Sequence, residues 1–127
     1  MDIGMTIPTR GPLAEPESIG QLARRADELG FAYLAVPDHI VVPRRIDSRY
    51  PYSASGEFPG SASGFCFDQF SVLSFLAALT GKIRLVTSIT VIPHRGAVET
   101  AKLVATIDVL SHGRMTLGVG AGWMREE

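Results

Sequence analysis

Short apolar segments alternate with amphipathic ones along this whole chain, and that alternation constrains its fold more than any other feature. Residues 2–7 are apolar and stop at Pro8, Gly11 and Pro12, which predicts a first strand. Pro16 suits the first turn of a helix, where its missing N–H costs nothing. Ile19, Leu22, Ala23, Ala26 and Leu29 then recur at helical spacing, with charged residues between them. Gly30 stands where a helix often ends in a left-handed residue. Residues 31–36 predict a second strand. Asp68 can cap a helix carrying Val72, Leu73, Phe75, Leu76 and Leu79, which Gly81 ends. Residues 83–92, IRLVTSITVI, predict a third strand buried on both faces of a parallel sheet. Thr100, Leu103, Val104, Ile107 and Leu110 form a third helical stripe, closed by Gly113. Residues 115–119 predict a fourth strand, running into Gly118, Gly120 and Gly122.

The order βαβαβαβ calls for an α/β fold with a parallel sheet and right-handed crossovers. An open doubly wound sheet and the first half of an eight-stranded barrel both satisfy it, and periodicity does not choose between them. Residues 43–67 break the pattern with Pro43, Pro51, Pro59, three glycines and several serines. A loop this long in a compact domain is expected to be functional or mobile.

With 46% hydrophobic residues and a net charge of -1, the composition is that of a folded interior with a solvated surface. It excludes a disordered tail and lends no support to a nucleic-acid partner. Cys66 is alone, so no internal disulfide forms, and no Cys/His cluster has zinc spacing. No basic segment followed by an apolar one marks a signal peptide. The apolar runs fall far short of the roughly 20 residues a membrane span needs. A reducing cytoplasm is the expected compartment.

In either architecture the chemistry belongs at the C-terminal ends of the strands. Thr6 to Arg10, Asp38 with His39, His94 with Arg95, and Gly120 to Trp123 all fall there. Imidazole exchanges protons near neutral pH, and a neighbouring carboxylate can orient a ring or shift its pKa. The plainer reading makes Asp38 a local cap and His39 a loop histidine. His94 and Arg95 could hold an anion, but a solvated pair is the expected reading. The glycines at 118, 120 and 122 lack the dinucleotide spacing, because Trp123 stands at its third glycine position and the turn is the fourth. Close approach of backbone or ligand to a strand end is the simpler reason for them. Trp123, Phe65, Phe67 and Phe70 could line a flat apolar pocket, although such residues more often pack a core. There is no P-loop lysine motif, no G-x-S-x-G and no identifiable glycosidase carboxylate pair.

The residue strings themselves resemble a known superfamily. They are VPDHIVVP at 36–43, YPYS at 50–53, IRLVTSITVIPHR at 83–95, AKLVATIDVLSHGRMTLGVGAGW at 101–123 and the closing MREE. Together they are similar to the N-terminal half of the luciferase-like monooxygenases, which are flavin- and coenzyme F420-dependent (β/α)8 TIM barrels. The resemblance covers essentially residues 1–127, as one partial domain with strands one to four and the long loop. The YPYS loop resembles the F420-dependent oxidoreductases of actinobacterial type within that superfamily.

The resemblance implies roles. Asp38 and His39 would lie in the deazaflavin site as catalytic and cofactor-binding residues, with the histidine near the reacting centre. The peptide bond Ser88–Ile89 would be cis, forming a bulge behind the ring system, with residues 87–91, including Thr87, as its backing wall. Gly120, Ala121, Gly122 and Trp123 would line the cofactor pocket. Sugar-phosphate dehydrogenases of the superfamily carry a glutamate where this chain has Trp123. Indole is no acid or base near neutral pH, so the resemblance points away from sugar chemistry and towards a more apolar substrate.

The implied function is an F420-dependent oxidoreductase acting on a small organic substrate by hydride transfer or oxygenation, with the long loop closing over it. The alternative is an FMN-dependent monooxygenase served by a separate flavin reductase. A homodimer is implied for the full-length enzyme. A third reading is a non-catalytic, truncated half-barrel whose apolar strand edges favour association. A complete barrel needs about 250 residues, so these four strands and three helices are expected to be about half an enzyme, inactive alone.

Overall fold

A computed structural model describes residues 1–59 and 64–127. Its elements are β1 (Gly4–Thr6), α1 (Pro16–Glu28), β2 (Tyr33–Val36), α2 (Gln69–Leu79), β3 (Arg84–Thr87), β4 (Thr90–Val91), α3 (Ala97–Leu110), β5 (Met115–Thr116) and β6 (Val119–Gly120). β1, β2, β3 and β5 form one sheet in that order, with every neighbouring pair parallel. β4 and β6 form a second, two-stranded parallel sheet.

The sequence pattern dictates most of this. Pro16 opens α1, and Ile19, Ala23 and Ala26 bury one face of it. Gly30, with φ +79°, turns the chain into β2. The Asp68 carboxylate accepts from the Ser71 N–H at 2.8 Å and caps α2, as its position predicts. Phe70, Leu73 and Leu76 of α2 are buried with Leu34 and Val36 of β2 and Leu85 of β3.

Two side chains clamp the turn between α2 and β3. Asp27 accepts from the Gly81, Lys82 and Ile83 N–H groups at 2.8, 3.1 and 2.7 Å. Arg114 donates to the Ala77, Thr80 and Ile83 carbonyls at 2.9 Å each. Carbonyls at a helix C-terminus have no partner within the helix, and Arg114 supplies one.

Four expectations need correction. The third strand is not continuous. β3 ends at Thr87, β4 starts at Thr90, and the Ser88–Ile89 peptide between them is cis, as the family resemblance implied. Nor is that segment buried on both faces, because Arg84 is exposed and Ile89 is 40% exposed. The fourth strand divides in step, so that Leu85 pairs with Met115 and Thr90 with Val119. Gly118 stands between the two ladders. Its N–H donates to the Thr87 hydroxyl, and its carbonyl accepts from that hydroxyl and from the Thr90 N–H, all at 2.8 Å. Finally, the stripe on α3 is only half used. Ile107 is buried but Leu110 is 61% exposed, because β5 is an edge strand and α3 flanks it.

Among the described residues, no helix is long and apolar enough to cross a membrane.

Candidate active site

Because all the strands are parallel, the segments that leave β2, β3, β4 and β6 emerge at one end of the fold. There they enclose a cavity of about 470 Å³, within the range of small-molecule sites. Of the residues singled out in the sequence, Arg10, Asp38, His39, Ser88, Ile89, Val91, His94, Ala121, Gly122 and Trp123 line it.

Thr87 and Gly120 do not. Thr87 is buried, and its hydroxyl is committed to Gly118 in both directions. Gly120 is paired with Val91 in the small sheet. A Cβ on Gly120 would come within 1.9 Å of Ile89 Cδ1, and one on Gly118 within 2.4 Å of the Thr87 carbonyl oxygen. At these two positions the glycines admit neighbouring protein atoms.

Asp38 sits differently from a proton carrier. Its side chain is fully buried, and its Oδ2 accepts from the Val91 N–H at 2.9 Å and from Arg95 Nη1 at 2.6 Å. Oδ1 accepts from Arg95 Nη2 at 2.8 Å. Such a two-pronged ion pair fixes geometry, and it pins the loop after β2 to the segment after β4. Arg95 is therefore not the solvated residue expected, since its side chain is only 8% exposed.

His39 is held by a group the sequence reading missed. Its Nδ1 lies 3.0 Å from Glu127 Oε2, and the Ile40 N–H donates to Glu127 Oε1 at 2.6 Å. The His94 Nδ1 is 3.8 Å from that same Oε1. Burial alone would raise the Glu127 carboxyl. The bond to His39, the Ile40 N–H and the two nearby imidazoles outweigh it and hold the group below its ordinary value. Glu126 adds bonds from the Asp47 and Ser48 N–H groups, both at 2.8 Å, so residues 126–127 tie the long loop down.

The aromatic wall also differs from expectation. Trp123 lines the cavity, but Phe70 belongs to the core, Phe67 packs against it, and Phe65 is exposed. The other aromatic lining comes from the long loop, as Tyr50, Tyr52 and Phe58. Trp123 lies 5.0 Å from the Tyr50 ring and 5.5 Å from that of Phe58, between ring centroids. The Arg10 guanidinium stands 4.5 Å over the Phe58 ring. The signal for these residues was present as YPY within a proline-rich loop, but a stretch without periodicity gives no face to read. Residues 60–63 of that loop lie outside the described residues.

A parallel βα sheet with a cavity at the C-terminal ends of its strands is the arrangement of a (β/α)8 barrel enzyme, and this chain supplies its first four strands. The family model for luciferase-like monooxygenases matches residues 1–127, and the chain belongs to that family.

An uncharacterized protein of Mycobacterium tuberculosis is 33% identical over 105 residues, which is 83% of this chain and 37% of that protein. Monooxygenase RslO1 from Streptomyces bottropensis superposes with a TM-score of 0.67 at 26% identity, over 99% of this chain and 35% of the other. The coenzyme F420-dependent tetrahydromethanopterin reductase from Methanopyrus kandleri gives 0.66 at 26%, over 95% and 27%. The chain thus spans about a third of the length of the relatives it matches. The family's members are oxidoreductases and monooxygenases, and this fold is theirs.

Proposed function

We propose that this chain forms the N-terminal part of an F420-dependent oxidoreductase acting on a small, largely apolar organic substrate in the cytoplasm. The observation that carries the reading is the cavity itself. His39, Ser88, Ile89 and the Ala121–Gly122–Trp123 turn all line it. Ile89 is an apolar lining residue left 40% exposed. A flat ring system would cover it, so the residues fit a deazaflavin. Ser88, Ile89, Ala121, Gly122 and Trp123 would hold such a group, and His39 would stand beside it. When bound, F420 supplies hydride chemistry at its ring. The chain's own residues orient, exclude water and handle a proton at His39.

The apolar preference follows from Trp123, Tyr50, Tyr52 and Phe58, which line the cavity with aromatic surface. Support for F420 comes from the likeness to the Methanopyrus reductase. The likeness to a monooxygenase of equal identity supports a second reading, oxygenation, with FMN as the alternative cofactor.

The two are separated by turnover measured without and with oxygen. The full-length protein is given reduced F420 and a panel of small ketones and enones. Oxidation of reduced F420 that depends on the acceptor is expected. Turnover only with reduced FMN and oxygen overturns the proposal.

A further inference from the structure

We propose that Glu127 is a positioning residue whose carboxylate holds the His39 imidazole as its Nδ1–H tautomer, leaving Nε2 to take a proton from a molecule in the cavity. The two side chains are enclosed together, with His39 10% and Glu127 3% exposed. Glu127 accepts through both oxygens, from His39 Nδ1 at 3.0 Å and from the Ile40 N–H at 2.6 Å. An ionised carboxylate can only accept, so the hydrogen between Glu127 and His39 sits on the ring nitrogen. A neutral imidazole has one N–H, so Nε2 is left as the acceptor. The Ile40 N–H fixes the carboxylate against rotation, and the carboxylate fixes the ring.

A second ring completes the arrangement. His94 Nδ1 is buried without a hydrogen-bond partner among the described residues, and it faces Glu127 Oε1 at 3.8 Å. One carboxylate thus stands between two imidazoles from loops far apart in sequence. The other charged groups around it are already engaged: Asp38 with Arg95, Asp68 with Arg95 and Ser71, and Arg10 over Phe58. Cys66 is tied to the His39 carbonyl at 3.3 Å. When a proton reaches His39 Nε2, the ring becomes an imidazolium whose Nδ1–H still donates to Glu127, and that carboxylate balances the new charge.

The proton-accepting role rests on the cavity being the reaction site, whereas the tautomer does not. The test therefore uses the full-length protein without any cofactor. Ring-nitrogen NMR of 15N-histidine-labelled protein at about pH 8, where free imidazole is neutral, reads which nitrogen carries hydrogen. His39 is expected as Nδ1–H. Glu127→Ala is expected to lose that preference, and Glu127→Gln, whose amide oxygen still accepts, to keep it. An Nε2–H tautomer in the unaltered protein overturns the proposal even if the alanine variant does not fold. So does an alanine variant that folds and stays Nδ1–H.

Discussion

The Arg95 guanidinium grips both oxygens of Asp38, at 2.6 and 2.8 Å, across 57 positions of sequence. The pair joins the loop after β2 to the segment after β4, and so sets the spacing of two cavity walls. Removing one partner of a buried pair leaves an uncompensated charge. Asp38→Asn is expected to cost about 3 kcal/mol of stability by urea unfolding. Arg95→Lys, which keeps the charge but not the two-pronged geometry, is expected to cost less, though still measurably.

Gly118→Ala tests the junction of the two ladders. The added methyl would lie 2.4 Å from the Thr87 carbonyl oxygen, which is backbone and cannot swing aside. A loss of about 1–3 kcal/mol is expected. Gly11→Ala is not a fair comparison, because its φ is +79°. Gly96→Ala is, since nothing lies within 4 Å of its added Cβ and its φ is -63°.

Asp27 gives the fold an acid limit. Partial burial pushes its carboxyl up, but the Gly81, Ile83 and Lys82 N–H groups and the Arg114 charge bring it below its ordinary 3.8. A carboxyl lowered in the folded state stabilises fully above its unfolded value, and that stability is lost as pH falls through the folded one. Asp27→Asn is expected to cost about 1–2 kcal/mol at neutral pH. The difference from the unaltered protein should shrink below about pH 4, as measured by urea unfolding across pH.

Cys66 should be a slow nucleophile. Burial, and then the Glu127 charge, raise its thiol above the ordinary 9.0. Less than about 1% is then thiolate at pH 7. Alkylation by iodoacetamide is expected to be slower than that of a free cysteine, and to accelerate when the protein is unfolded in urea.

The fold was legible in the sequence because its elements announce themselves locally. Pro16, Gly30 and Asp68 mark helix ends, and the runs between them carry clear periods. The break at Ser88–Ile89 followed from family resemblance, since IRLVTSITVI is uniformly β-forming. The partners of the site residues were not legible. Asp38 meets Arg95, and His39 meets Glu127 across 88 positions, through folding of loops whose sequence has no period. Glu127 carried no signal beyond its charge, and Tyr50 and Phe58 looked like loop residues until the loop was seen against Trp123.

The central claim is that the cavity beside His39 and Trp123 receives F420. Trp123 lines that cavity. The most direct measurement is therefore tryptophan emission of the full-length protein during titration with F420 and, separately, with FMN. Saturable quenching by F420 is expected, reduced in Trp123→Phe while binding by equilibrium dialysis persists. Saturable binding of FMN with none of F420 would contradict the claim.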